Sequence, residues 1–396
     1  MTRARPSLLL AALAAAALVA GPVVAPAGAS TAGVARAARS AALPGATAHR
    51  SAPGSVEVVA TGLNHPRGIV AGPFGTLLVA ESGEAGSSPC LPPSPGTANK
   101  EACASTTGAV TAVWPGGKAR VAEGLASNGA PDGTAASGPH DLLVTSRGLE
   151  VLFGYANNPG LRAGLGEAGA PLGQLAVIDA HGDQHLSGDL AGYEGAVNPD
   201  GRPGFPGQWS NPYSTVTDGA DRLVSDSGGN HILRVKPDGT VSTVAVFPTR
   251  DVPAPPTGAL ATMEAVPTGM VRGPDGALYV GELTGFPSPP GSARVWRVVP
   301  GQAPTVYATG FTNIIDVAFD AQGRLLVLEV FANGLLSGNP AGALKRVGAD
   351  GTTTPLLTTG LVTPTSMAVA SSGAVYIANK ATAVGTGEVI KFTPPA

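Results

Sequence analysis

The segment Thr268-Gly-Met-Val-Arg-Gly-Pro-Asp-Gly-Ala-Leu-Tyr-Val-Gly-Glu282 reads as a β-hairpin. Two apolar runs, each too short for a helix, flank the turn Gly273-Pro-Asp-Gly276, whose proline and glycines suit a tight reversal. The same frame recurs at Arg67 to Glu81, His140 to Tyr155, Tyr213 to Asp226, Ile315 to Glu329 and Thr365 to Asn379. A second hairpin follows five of these, most clearly Ile232-Leu-Arg-Val-Lys-Pro-Asp-Gly-Thr-Val-Ser-Thr-Val-Ala-Val246. Its counterparts are Val110-Thr-Ala-Val-Trp-Pro-Gly-Gly117, Leu175-Ala-Val-Ile-Asp-Ala-His-Gly182, Val295-Trp-Arg-Val-Val-Pro-Gly301 and Leu344-Lys-Arg-Val-Gly-Ala-Asp-Gly351. The chain therefore repeats a four-strand unit six times, at spacings of roughly 47 to 73 residues.

Such units suit radial packing into a six-bladed β-propeller, an all-β fold. A linear solenoid would keep a constant period and need capping repeats. The last unit stops after its third strand, Glu388-Val-Ile-Lys-Phe392, and lacks a fourth. Val56-Glu-Val-Val-Ala-Thr-Gly62 matches the fourth strands Thr305-Val-Tyr-Ala-Thr-Gly310 and Leu356-Leu-Thr-Thr-Gly360. The N-terminal strand is thus expected to complete the last blade and remove an open edge. The propeller is placed at 56–393.

Composition agrees. The 396 residues include 56 Gly and 37 Pro, and only 13% are charged against 43% hydrophobic, so a disordered, charge-driven chain is excluded. A net charge of −3 without a basic cluster in the repeats argues against nucleic acid as a partner. Arg3 and Arg5, the apolar stretch Leu8 to Val24 and Ala27-Gly-Ala29 have the form of a secretory signal peptide over 1–29. A flexible leader is expected at 30–55, and no anchor in the membrane after cleavage. In an oxidising compartment Cys90 and Cys103, the only cysteines, are expected to form a disulfide. A secreted, extracellular monomer is the expectation.

Strand direction alternates outward from the axis, which sorts the connections onto two faces. Turns between first and second and between third and fourth strands are all tight, as in Asp320-Ala-Gln-Gly323 and Lys236-Pro-Asp-Gly239. The long insertions, Ser82 to Thr107, Ala126 to Pro139, Asn157 to Gly173, Glu194 to Pro212, Pro248 to Pro267 and Phe331 to Gly342, all fall on the other face. Long loops gathered on one side of a rigid scaffold are where binding usually sits.

Several pieces resemble the ScyD/ScyE family of secreted proteins: Ala60-Thr-Gly-Leu-Asn-His-Pro-Arg-Gly68, Gly138-Pro-His-Asp141, Asn211-Pro-Tyr-Ser214, Ser227-Gly-Gly-Asn-His-Ile-Leu-Arg-Val235, Val280-Gly-Glu-Leu-Thr-Gly-Phe-Pro287 and Tyr307-Ala-Thr-Gly-Phe-Thr-Asn-Ile-Ile-Asp316. The resemblance covers almost the whole chain beyond the leader. It implies an exported propeller related to NHL-type propellers, and no defined reaction.

Strand starts place Arg67, His140, Tyr213, Thr268, Ile315 and Thr365 near the axis, followed by Gly68, Asp141, Ser214, Gly269, Asp316 and Ser366. Strand ends place Glu81, Tyr155, Asp226, Glu282, Glu329 and Asn379 around the mouth. Two readings of the acids remain open. Glu81, Asp226, Glu282, Asp316 and Glu329 could supply oxygen ligands to Ca²⁺ as a cofactor. Alternatively, they accept backbone N–H groups, as acids at repeat positions commonly do. Gluconolactonase-type propellers, similar only in architecture, place Asp or Asn before glycine at strand starts to hold a metal; here Arg67 and Thr268 stand there. His140-Asp141 is the dipeptide most suggestive of acid–base chemistry, although neighbours in a strand point to opposite sides. Among binding residues for a small molecule, glycan or protein, Arg67, His140, Tyr213, Trp209 and Phe286 stand out. The expected function is an extracellular ligand- or partner-binding scaffold; the rival is a Ca²⁺-assisted hydrolase or isomerase of the lactonase-like kind.

Overall fold

The computed structural model describes residues 54–94, 100–179, 181–202 and 208–395. The expected signal peptide, and the leader up to residue 53, lie outside the described residues. Strand β1 (Val56–Leu63) precedes the first blade, which holds β2 (Pro66–Ala71), β3 (Leu77–Glu81), β4 (Cys90–Ser94), β5 (Lys100–Trp114) and β6 (Gly117–Gly129). Blade 2 is β7 (Pro139–Thr145), β8 (Gly148–Phe153), β9 (Gln174–Ile178) and β10 (Gln184–Asp189). Blade 3 is β11 (Pro212–Asp218), β12 (Asp221–Asp226), β13 (His231–Val235) and β14 (Val241–Val246). A separate hairpin follows, β15 (Arg250–Ala254) and β16 (Ala259–Met263). Blade 4 is β17 (Pro267–Arg272), β18 (Leu278–Glu282), β19 (Ala293–Val298) and β20 (Thr305–Phe311). Blade 5 is β21 (Ile314–Phe319), β22 (Leu325–Glu329), β23 (Ala343–Val347) and β24 (Thr353–Leu357). Blade 6 is β25 (Ser366–Val369), β26 (Val375–Asn379) and β27 (Gly387–Phe392), and β1 is its outer strand.

The ring closes as the repeat pattern requires. β1 runs antiparallel to β27, from Val56 opposite Phe392 to Leu63 opposite Gly387. Pairing continues outward, where the amide of Gly54 reaches Thr393 O at 2.7 Å. The core is divided into layers between blades, because alternate residues of a strand face opposite neighbours. Leu278 and Val280 pack toward blade 3 with Leu223 and Ile232. Ala277 and Tyr279 pack toward blade 5 with Val317 and Val327. The remaining junctions are filled in the same way.

Of three local expectations, the second holds and the first and third differ from the structure. First, β5 and β6 continue past blade 1, pairing from Trp114 opposite Gly117 out to Cys103 opposite Gly129. Parts of the two stretches expected as loops, Ser82 to Thr107 and Ala126 to Pro139, are therefore strand. Their small residues carry no period-2 signal, and the pairing partner comes from the other strand of the flap. Second, Cys90 and Cys103 do form a disulfide, and it joins β4 to this extension of β5. Third, Pro139 pairs with Phe153 as Pro66 pairs with Glu81. Phe153, and not Tyr155, thus occupies the strand-end position of blade 2. A helix, Leu190–Val197, also forms in the connection to blade 3, capped by the Asp189 carboxylate accepting from Gly192 N.

Candidate functional site

The axial ring has a three-blade period. Its second strand position reads Gly68, Asp141, Ser214 in blades 1 to 3 and Gly269, Asp316, Ser366 in blades 4 to 6. Each polar member accepts an amide from the next blade. Asp141 Oδ2 takes Thr215 N at 2.7 Å, Ser214 Oγ takes Met270 N at 3.3 Å, Asp316 Oδ2 takes Met367 N at 2.7 Å and Ser366 Oγ takes Ile69 N at 3.4 Å. Glycine is required beside each aspartate: a Cβ on Gly68 would stand 2.7 Å from Asp141 Oδ1, and one on Gly269 only 2.1 Å from Asp316 Oδ1. Asp141 and Asp316 are half-buried. Burial pushes Asp141 up to about 6 and Asp316 up to about 7, against the pull of the amides they accept.

One residue nearer the elaborated face, a second set of bonds ties blade to blade through the carbonyl at each strand start. Ser82 Oγ donates to Pro139 O at 3.1 Å, Thr268 Oγ1 to Ile314 O at 2.8 Å and Thr365 Oγ1 to Pro66 O at 2.8 Å. His140 joins this series, its Nδ1 lying 3.1 Å from Pro212 O. A carbonyl only accepts, so Nδ1 carries the proton and Nε2 is a bare, buried lone pair without a partner. Burial, and then the charge of Arg67, depresses the His140 pKa to about 3. The imidazole is neutral at physiological pH, and Asp141 bonds to Thr215 and Leu142 instead of orienting it.

The strand-end acids staple the chain entering each blade. Glu81 Oε2 accepts Asn64 N at 2.6 Å, Asp226 Oδ1 accepts Asn211 N at 2.7 Å and Glu329 Oε1 accepts Thr312 N at 2.8 Å. Asn379 does the same for Val362 N at 2.8 Å. The second oxygen finds a further donor in two of them, Thr111 for Glu81 and Ser210 for Asp226, whereas Lys345 shares Glu329 Oε1 with Thr312 and leaves Oε2 buried without a partner. Glu282 accepts Trp296 Nε1 at 2.9 Å and pairs with Arg250 from β15; burial still pushes it up to about 7. Among the described residues, the ligand atoms of these acids and of the histidines do not gather in threes within 4.8 Å. The one group that does, Cys90, Glu101 and Cys103, has its sulfurs in the disulfide. The five acids in this arrangement do not form the converging oxygen set that Ca²⁺ takes.

What the axis brings together is Arg67, His140 and Tyr213, on adjacent blades. The rings of His140 and Tyr213 meet edge to face with centroids 5.6 Å apart. Tyr213 extends across the axis to the opposite blade, where its hydroxyl donates to Thr365 O at 3.2 Å and its ring packs against the apolar cluster that includes Ile315. His65, preceding the same strand as Arg67, also holds its Nδ1 against a carbonyl, Gly83 O at 2.8 Å. Trp209 is half-buried with its indole N–H unpartnered, and Phe286 is 66% exposed. Sequence spacing did not reveal the role of Arg250, which comes from an insertion without a repeat counterpart.

No family model and no curated protein sequence matches the chain. Solved structures do. A protein of unknown function from Bacteroides thetaiotaomicron is 11% identical, with 86% of this chain and 72% of that one covered and a TM-score of 0.50. A PQQ-bound aldose sugar dehydrogenase from Streptomyces coelicolor is 13% identical, with 85% and 97% covered and a TM-score of 0.49. A gluconolactonase from Xanthomonas campestris is 12% identical, with 86% and 89% covered and a TM-score of 0.48. At these identities the likeness is one of fold, and the fold of this chain is a six-bladed β-propeller.

Proposed function

We propose that this chain is a secreted β-propeller of the ScyD/ScyE kind that acts as an extracellular binding scaffold through its elaborated face. The observation that carries this reading is the use made of its acids. Those that a metal-assisted hydrolase would need are spent on stapling blades and entry loops, one blade at a time. The elaborated face, by contrast, carries apolar side chains in the open: Leu260 is 71% exposed, Phe286 66% and Leu336 60%, each on a different connection. Exposed apolar groups on long loops suit recognition of a partner. The disulfide supports an oxidising compartment, and among the described residues no helix is long and apolar enough to cross a membrane.

The test is retention of defined cell-wall polymers and a small-molecule panel on the immobilised protein, alongside assays of lactone and ester turnover with and without Ca²⁺. Retention that weakens in Phe286→Ser or Trp209→Ala, without turnover, is the expected result. Ca²⁺-dependent turnover would replace this reading with the hydrolase.

A further inference from the structure

We propose that the mouth of the axial channel on the elaborated face is a site for the oxyanion group of a ligand (carboxylate, phosphate or sulfate), held by Arg67. This rests on the binding-scaffold reading and names the ligand chemistry of one part of that face. The first argument is an unmatched charge. A guanidinium has five N–H donors. Arg67 Nε uses one on Ser82 Oγ at 3.3 Å, and Nη2 uses one on Ala136 O at 2.7 Å. Its Nη1 has no partner among the described residues, and it is not a sealed atom either. No carboxylate oxygen of the described residues comes within 4.0 Å of this guanidinium. The other enclosed cations Arg222, Arg250 and Lys345 are paired, with Glu150, Glu282 and Glu329 respectively. A half-buried charge without a counterion is solvated less well than one in open water, and an anion bound there would recover part of that cost.

The second argument is what surrounds it. His65 and His140 flank Arg67, and both spend Nδ1–H on carbonyl oxygens, so neither supplies a negative charge. The positive charge of Arg67 in turn disfavours a proton on either ring. The aspartates of the axial ring are committed to amides of the following blades. An incoming anion therefore displaces no ion pair of Arg67 among the described residues, and the carboxylates whose charge reaches the trio, Asp141 and Asp316, act on it through Tyr213. The third argument concerns the far wall, where Tyr213 packs against the apolar cluster that includes Ile315. A ligand entering from this face meets a cation on one side and apolar surface on the other. That pairing suits a small acid with an apolar or aromatic body, and benzoate is the simplest probe of it.

The experiment uses the full chain at pH 7, measuring melting temperature and calorimetric affinity with sodium phosphate, sulfate, acetate and benzoate. Sodium chloride at matched ionic strength is the control. An oxyanion is expected to raise the melting temperature above chloride, with benzoate bound more tightly than acetate. Arg67→Met is expected to weaken that affinity at least tenfold, and Arg67→Lys to restore part of it. Equal behaviour of every salt, or equal affinity in Arg67→Met, would overturn the proposal. Should Arg67→Met not fold, wild-type crystals soaked in selenate provide the second measurement. An anomalous peak within hydrogen-bond distance of Arg67 Nη1 supports the site, and its absence overturns it. Wall-polymer retention that survives in Arg67→Met would remove the oxyanion site alone. Oxyanion binding that persists without retention would remove only the scaffold reading.

Discussion

Asp141 and Asp316 govern how the stability of the ring responds to pH. Burial raises the folded-state pKa of Asp316 to about 7, well above the ordinary value of 3.8 that applies to the unfolded chain. The folded protein thus binds more protons than the unfolded one between those values, and stability falls as pH rises from 4 to 7. Above 7 the contribution is flat. Asp316→Asn carries no titrating group, so its melting temperature is expected to change less between pH 4 and 7 than that of the wild type. The slope is the readout, because the amide also alters the bonds to Ser366, Met367 and Val317; parallel slopes would contradict the assignment. Glu282 makes a different case. Replacing it with Gln leaves Arg250 without its carboxylate and weakens the acceptor of Trp296. A lower melting temperature is expected, corresponding to about 1–3 kcal/mol.

At the scale of elements, β1 and the blade 1 flap make separable contributions. β1 covers the edge of β27 and buries Leu63 completely. Deleting residues 30–62 is expected to cost several kcal/mol more than deleting 30–53, since it removes a whole strand ladder and exposes an edge, on the order of one net hydrogen bond per kcal/mol. Equal melting temperatures for the two chains would refute closure by β1. The disulfide closes a short loop outside the repeated hairpins, worth about 3 kcal/mol in the chain-entropy model. Replacing Cys90 and Cys103 by Ser should loosen β4 and the outer part of β5. Hydrogen exchange should then rise at residues 90–104 while blades 2 to 6 keep their protection. Exchange that rises throughout the ring would show that the flap supports the whole fold.

For the whole molecule, the acids that looked like one ring are separate staples, each serving its own blade. Added Ca²⁺ or a chelator is therefore expected to leave the melting temperature unchanged. A cation bound among these groups would raise it by mass action, and a rise lost in Glu282→Gln would revive the metal reading. The layered core explains why such staples are needed: apolar contact holds adjacent blades face to face, whereas amide and carbonyl bonds along the axis set their order and tilt. The three-blade period of Gly, Asp and Ser places the two aspartates on opposite sides of the axis. In the layer above them the symmetry is broken, with Arg67, His140 and Tyr213 facing Thr268, Ile315 and Thr365.

Blade number, blade order, closure by β1 and the cysteine pairing were all determined by the sequence alone. They depend on alternation within five or six residues, on Gly and Pro at turns, and on repetition, and all three are properties of neighbours along the chain. The sorting of long loops onto one face followed from the same strand count. Only the tertiary structure decided what each polar residue does. Asp141 meets the amide of Thr215, 74 residues on, because the ring sets blade 3 beside blade 2. Glu282 is neutralised by Arg250 because an insertion folds back over blade 4. Arg67 was legible as a residue at the channel mouth, but its lack of a carboxylate partner was not. Spacing locates a side chain within its own strand; its charge balance depends on the neighbouring blades, and those are assembled only when the ring closes.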